Sequence, residues 1–305
     1  MRVLITGGAG FIGHHTAIYL SKKGFEVVVL DNLSRARKDS LLLLKRNGIR
    51  VIVGDLLGER LPKTLAEVRP EAVVHAAALI SVEESFEKPL LYNKVNVEGT
   101  LRLLDELLKL DSVEYFIYLS SAAVYGDPKY LPIDEEHPTE PLSPYGASKL
   151  AAEHYVKVYS NLGLKAAILR LFNVYGPRQN LEYAGVIAKF IDRIRRGKPP
   201  VIFGDGKQTR DFIHVQDVVE AIQRALERRI EGVFNLAYGK PASVLELAEM
   251  LLRITKRDLK PIFKPPRPGD VRHSYANVEK MAKALAWKPK ISLEDGLRML
   301  LEEEV

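Results

Sequence analysis

Tyr145, Lys149 and Ser121 are side chains whose types and spacing could do chemistry. Tyr145 and Lys149 fall four apart in Pro-Tyr-Gly-Ala-Ser-Lys (144–149), which opens a helical pattern running to about residue 162. Side chains at that spacing share one helix face. An ammonium close to a phenol favours the phenolate, so Lys149 is expected to lower the Tyr145 pKa from about 10 towards neutrality. A tyrosine tuned in this way can take a proton from an alcohol and return it. Ser121 follows an apolar run at 113–119, at the end of an expected strand. A Tyr-x-x-x-Lys pair alone occurs on many exposed helices, so its meaning depends on what positions it.

The positioning elements begin at the N-terminus. A β-branched run at 2–6 leads into Gly7-Gly8-Ala9-Gly10-Phe11-Ile12-Gly13, followed by an amphipathic helix to about residue 23 and a second strand at 26–30 ending at Asp31. Strand, glycine turn, helix and strand are the context a dinucleotide fingerprint requires. Gly7, Gly10 and Gly13 let backbone N–H groups and a helix N-terminus approach a pyrophosphate. Asp31 can hold a ribose 2′-hydroxyl and would repel a 2′-phosphate, which favours NAD over NADP; Arg35 and Arg37 nearby keep that preference from being absolute. Further strands are expected at 50–53, 71–75, 113–119 and 165–171, with a long helix at 89–110 that carries Asn96. Alternating strands and helices imply a Rossmann-type α/β fold with a parallel, doubly wound sheet, in which ligands bind at the carboxyl ends of the strands. Gly10, Asp31, Asp55, Ala76, Ser121 and Asn173 all fall at such ends, so one crevice should collect them. Asp55 could touch an adenine or cap the next helix, and Ala76 to Ala78 are small enough to let a flat ring lie against the backbone.

The chain has 305 residues, 47% hydrophobic and 28% charged, with a net charge of +6. Its basic residues are scattered, which gives a nucleic-acid partner little support. Cysteine is absent, removing disulfides, thiolate catalysis and cysteine metal sites, and no cluster has metal-ligand spacing, so no metal is expected. No signal segment or membrane-span pattern is evident, which points to a cytoplasmic protein. Nine Asn and four Gln among so many charges fit a thermophile. After residue 176 prolines multiply and elements shorten, with helices expected near 183–196, 215–229, 243–255 and 277–285. We expect a dinucleotide-binding domain at 1–175 and a smaller mixed α/β substrate-binding region at 176–305, some of whose segments return to the first domain. His75, His214 and Asp217 are expected to serve packing, hydrogen bonding and helix capping.

The glycine motif, Ser121 within SSAAVYG, Tyr145-x-x-x-Lys149, NVYGPR (173–178), RDFIHVQD (210–217) and RPGD (267–270) occur in one order along the chain. In that order they resemble the extended short-chain dehydrogenases/reductases, and within them the nucleotide-sugar epimerases of the UDP-glucose 4-epimerase type. The resemblance covers essentially the whole chain. It implies that Tyr145 removes the proton from the sugar O4 as hydride leaves C4 for tightly bound NAD. Ser121 would hydrogen-bond the same oxygen, and Lys149 would hold the nicotinamide ribose. The 4-keto sugar would then turn in the pocket and take the hydride back on its other face. Phe11, Ile12, Asn32, Leu56, Ala78, Asn96 and Phe172 would join the glycines, Asp31, Asp55 and Ala76 around the cofactor, with Asn96 bracing the site. For a UDP-sugar substrate, Arg210 and Arg267 would clamp the diphosphate. Asn173 would reach phosphate or sugar, Val201 to Phe203 would form the uracil site, Val186 would also touch the substrate, and Asp270 would bind a ribose hydroxyl.

Relatives that eliminate water carry an acid–base pair directly after the catalytic Ser/Thr; here Ala122-Ala123 can transfer no proton, so simple oxidation and reduction at C4 remains. Ser274 occupies the position that limits the sugar 2-substituent in this family, and a small residue there leaves room for UDP-GlcNAc and UDP-GalNAc beside UDP-glucose and UDP-galactose. The alternatives are an epimerase of another nucleotide sugar, such as UDP-glucuronate, and a non-catalytic nucleotide-binding protein. Relatives pair as homodimers through helices matching 89–110 and 145–162, and Leu101, Leu104, Leu107 and Leu108 would form part of that face.

Overall fold

The computed structural model describes residues 1–183, 185–266 and 271–303. Its first half alternates strand and helix: β1 (Arg2–Thr6), α1 (Phe11–Lys22), β2 (Glu26–Asp31), α2 (Lys38–Arg46), β3 (Arg50–Val53), α3 (Leu61–Val68), β4 (Ala72–His75) and α4 (Val82–Glu87). A long helical stretch follows in three pieces, α5 (Pro89–Tyr92), a π-helical segment (Asn93–Glu98) and α6 (Gly99–Leu108). Then come β5 (Tyr115–Ser121), α7 (Pro144–Asn161) and β6 (Ala166–Leu171). These strands read as apolar runs because helices cover the sheet on both faces: β4 and β6 are buried along their whole length.

The expected helix at 89–110 is therefore not uniform. The π-helical turns carry Asn96 inward, where its amide grips the backbone of Leu79 from both sides. Hydrogen bonds gained there offset the poorer helical geometry.

The remaining elements are β7 (Asn173–Tyr175), α8 (Val186–Arg195), β8 (Val201–Phe203), β9 (Thr209–His214), α9 (Val215–Arg228), β10 (Gly232–Leu236), β11 (Pro241–Ser243), α10 (Val244–Ile254), β12 (Ile262–Lys264), β13 (His273–Ser274), α11 (Glu279–Leu285) and α12 (Leu293–Glu303). The main sheet is seven-stranded and parallel, in the order β10-β6-β5-β4-β1-β2-β3. From β1 the chain winds outward to β3, then returns to β4 and winds the other way, so the strand order reverses between β1 and β4. That switch point is where such sheets hold ligands. One core packs α1 and α9 against one face; α3, α6 and α7 cover the other. β10 and α9 thus belong to the main sheet although they come late in the chain. β7, β9, β11 and β13 form a small second sheet, and a separate core gathers residues of α8, α10 and α12. Among the described residues no helix is long and apolar enough to cross a membrane.

Candidate active site

The glycine turn lies at the switch point. Gly7 has φ +67, and a Cβ there would stand 2.5 Å from the Ala77 amide nitrogen after β4. At Gly13 a Cβ would stand 2.2 Å from the Gly7 carbonyl oxygen, so the first turn of α1 can sit on the loop only without a side chain. Gly10 caps α1, whose first turn carries no acidic residue. The positive end of the helix therefore faces the cavity, which suits a pyrophosphate.

Asp31 accepts from the Ala9 amide at 2.9 Å and the Leu33 amide at 2.7 Å. Burial pushes its carboxyl up, and those two amides oppose the shift. Asp31, Asn32, Asp55, Leu56, Ala76 and Ala78 line a cavity that runs from the glycine turn. A neighbouring cavity of about 370 Å³ continues past Phe11, Ile12 and Phe172 to Ser121, Tyr145 and Lys149. Small residues, a helix N-terminus and a carboxylate at the end of β2 fit an NAD molecule extended along both.

Several expected roles are corrected. Asp55 does not cap α3: it accepts from the Leu57 amide and from Asn32 Nδ2, fixing the loop after β3. Asn96 does not line the cavities; buried behind their wall, it holds Leu79 and donates to Ser148 Oγ. Arg35 spans the mouth, with Nη2 on Glu84 at 2.7 and 2.9 Å and its guanidinium 4.1 Å over the Tyr183 ring. Arg37 pairs with Asp39. Both arginines also line the cavity that runs from the glycine turn. Asp217 caps nothing on its own helix; it receives the Lys290 and Ile291 amides. His214 Nδ1 accepts from Gln216 N at the start of α9, and His75 sits between Thr6 and Thr100 hydroxyls.

Tyr145 and Lys149 are both buried, in the first turns of α7, whose N-cap is Ser143. The tyrosine ring packs edge-on to Tyr92, with centroids 6.4 Å apart. Burial raises the Tyr145 pKa, and a hydrogen bond with Ser121 lowers it in part. The expected tuning by Lys149 is not what the structure shows. Its Nζ donates to the Leu119 carbonyl at 2.6 Å and lies 4.2 Å over the Tyr118 ring, so strand β5 rather than the phenol receives the ammonium. Burial brings Lys149 down to about 7, partly opposed by Glu153. Glu153 escaped the sequence reading, although its place four residues beyond Lys149 on the same helix was a usable signal.

A further cavity of about 560 Å³ opens beyond Asn173, which lines it and the 370 Å³ cavity alike. Val186, Val201, Phe203 and Arg210 share its wall. Arg210 Nη1 donates to the Thr209 carbonyl. Ser274 stands in register with Arg210 across β9 and β13 but lies in the wall of neither cavity. Arg267 and Asp270 lie outside the described residues. Asp211, also missed, is fully buried and accepts the amides of Tyr238, Gly239 and Ala276, so it locks β9 in place. The leucines expected on a pairing face divide: Leu104 and Leu107 are buried in their own core, because they point at the sheet, whereas Leu108 is exposed.

Comparison with known proteins adds relatives to this geometry. A family model described as GDP-mannose 4,6 dehydratase matches residues 4–300. A putative UDP-glucose 4-epimerase of Methanocaldococcus jannaschii is 40% identical over 301 residues, covering 98% of this chain and 97% of its own. The UDP-glucose 4-epimerase of Thermotoga maritima, solved with UDP-glucose, superposes with a TM-score of 0.93 at 40% identity, covering 99% of this chain and 98% of that one. The Thermus thermophilus UDP-glucose 4-epimerase, solved with NAD, gives 0.90 at 37% identity, with 99% and 98% covered.

Proposed function

We propose, for a chain that belongs to the GDP-mannose 4,6 dehydratase family and is an NAD-dependent nucleotide-sugar 4-epimerase, that its substrates are UDP-glucose and UDP-galactose and that it works in the cytoplasm. One observation carries the reading: Ser121, Tyr145 and Lys149 share a cavity with the glycine turn, and through Asn173 that cavity adjoins a second one walled by Val201, Phe203 and Arg210. NAD, when bound, accepts hydride from the sugar C4 and gives it back. The phenol of Tyr145 takes and returns the O4 proton, and the Ser121 hydroxyl beside it holds the same oxygen. Lys149, anchored on Leu119, is placed to hold the nicotinamide ribose. Arg210 would meet the diphosphate while Val186, Val201 and Phe203 enclose the base.

Although the family takes its description from a dehydratase, Ala122 and Ala123 follow Ser121 in a short turn that Ser121 itself caps. Neither methyl group can act as acid or base, so elimination has no agent there. Acceptance of N-acetylated sugars is part of the proposal, with the small Ser274 acting from beside Arg210 on the neighbouring strand rather than from a cavity wall; failure to turn over UDP-GalNAc would remove that part alone.

The test is to incubate the purified protein with UDP-galactose, without added NAD, and separate the products. UDP-glucose should approach an equilibrium mixture, and Tyr145→Phe should lower kcat by roughly 10²–10⁴-fold. No conversion even with NAD supplied would overturn the substrate assignment.

A homodimer completes the proposal. Leu90, Leu91 and Leu108 on the 89–108 stretch and Tyr155, Val158 and Leu162 at α7 leave apolar surface exposed, and α6 packs beside α7. Large apolar side chains left exposed on two neighbouring helices suit a protein interface. Sedimentation equilibrium should return twice the chain mass; a monomer at micromolar concentration would refute the pairing.

A further inference from the structure

Below the reacting groups lies a buried polar cluster that the proposed chemistry does not use. Glu153 is fully buried, and Arg170 is nearly so. Ser120 and Arg170 are register partners on the adjacent strands β5 and β6, so their side chains leave the sheet on one face, beneath α7. Both reach Glu153. Ser120 Oγ donates to Oε1 at 2.5 Å, Arg170 Nε donates to Oε1 at 3.0 Å and Nη2 to Oε2 at 2.7 Å. Arg170 also stacks on Tyr125 and donates to the Glu135 carbonyl.

The three polar residues of α7 at 145, 149 and 153 thus meet three consecutive residues of β5. Tyr145 lies beside Ser121 in the cavity wall, Lys149 pairs with the Leu119 carbonyl, and Glu153 with Ser120. Spaced four apart, the helix residues form one row along a single face. A slip between helix and strand would break all three contacts together. A buried ion pair is by itself weak evidence for stability, since apolar replacements often do as well. Its place directly under the reacting groups suggests a different use.

We propose that Glu153, gripped by Ser120 and Arg170, is a positioning residue for the epimerisation: it fixes the end of β5 against α7 so that the Ser121 hydroxyl meets the Tyr145 phenol, and it sets a carboxylate counter-charge near Lys149. The inference rests on the roles given above to Ser121, Tyr145 and Lys149. The charged and titratable groups that face Lys149 are Tyr145 and Glu153 from α7, Tyr118 from β5 and His75 from β4, with Arg170 behind Glu153. Of these Glu153 alone brings an opposite charge, while the face of the Tyr118 ring adds a weaker attraction. Arg170 fixes the carboxylate and leaves the cluster without net charge.

Ser120→Ala removes the strand from the grip while Arg170 still satisfies the carboxylate, so this variant should fold. We expect its kcat to fall roughly 10-fold or more, as a small misplacement of reacting groups demands, with KM for the nucleotide sugar unchanged. Ser120→Thr, which keeps the hydroxyl, should restore most of the rate. In Glu153→Gln the alkaline limb of the kcat–pH profile, where the ammonium is lost, should move to lower pH. Thermal melting of each NAD-loaded variant separates positioning from collapse. If Ser120→Ala lowers the melting temperature but leaves kcat unchanged, or if Thr restores nothing, the positioning role is wrong. If Glu153→Gln folds and its alkaline limb stays in place, the counter-charge role is wrong; if it does not fold, the Ser120 pair decides alone. Full activity in Tyr145→Phe would instead remove the underlying catalytic reading, and that outcome is distinct from either failure here.

Discussion

The cofactor side of the crevice and the cavity beyond Asn173 are built in different ways. The cofactor side collects the ends of neighbouring parallel strands and uses backbone and small residues: the Gly7 turn, the amides that hold Asp31, and Ala76 to Ala78. The cavity beyond Asn173 is assembled from α8, β8, β9 and β12, elements that share no single sheet, and it works through the side chains of Val201, Phe203, Arg210 and Lys264. A site made of backbone has little freedom to change without losing the fold. One made of side chains on short elements can be altered residue by residue. A common cofactor and a variable sugar nucleotide call for that division, with Asn173 at the join.

The largest effect expected from this contrast is at Gly13. Gly13→Ala would drive a methyl group against the Gly7 carbonyl, where 2.2 Å is available. Overpacking of this kind costs roughly 1–3 kcal/mol. Because loop and helix must separate to relieve it, NAD affinity should fall together with stability, as read by calorimetric titration and thermal melting. Weakened NAD binding with an unchanged melting temperature would show that the turn is less tightly coupled to the fold than its geometry indicates.

Arg210→Lys tests the other half. Lysine keeps the charge but loses the planar fork, and the two are not equivalent at a bidentate site. We expect KM for the UDP-sugar to rise by about 10-fold, worth roughly 1.4 kcal/mol, with kcat, NAD affinity and melting temperature nearly unchanged. Loss of NAD binding in this variant would erase the distinction between the cofactor side and the cavity beyond Asn173.

The same division explains how far the sequence could be read. The strand ends that gather Gly10, Asp31, Asp55, Ala76, Ser121 and Asn173 follow from alternation and glycine spacing, because a parallel sheet leaves those positions few places to go. The direction of the Lys149 ammonium did not follow. A spacing of four puts Tyr145 and Lys149 on one face but does not say that the Leu119 carbonyl, at 2.6 Å, outbids the phenol for the proton. The π-helical turns at Asn93–Glu98 left no mark either, since their cause is a tertiary contact with Leu79. In the later region the short strands β7, β9, β11 and β13 pair across long separations in the chain, and two to six residues carry too little periodicity to announce them. Leu104 and Leu107 were misplaced for a related reason: a leucine-rich helix reads the same whether a leucine faces the sheet or a partner.

The smallest effect expected concerns the seam between the two regions. His15 Nε2 lies 3.0 Å from the Pro177 carbonyl oxygen, and His214 caps α9 where it packs beside β9. His75 sits inside the cofactor side. Burial pushes His15 and His75 down to about 3 and His214 to about 4. In the unfolded chain these rings take protons near pH 6.5, whereas the native protein refuses them until far lower. Between those limits the unfolded state binds more protons, so stability rises with pH there and is lost as pH falls from about 6.5 towards 4. Denaturant melts across that window should show a falling unfolding free energy, and His15→Asn or His214→Asn should flatten the slope by about one proton each. If the two regions act as one cooperative unit, probes on either side of the seam will report the same transition at every pH. Separate transitions at acid pH, with the cofactor side surviving longer, would mean that the seam histidines hold together two parts that can stand alone. The contrast between the cavities would then extend from chemistry to folding.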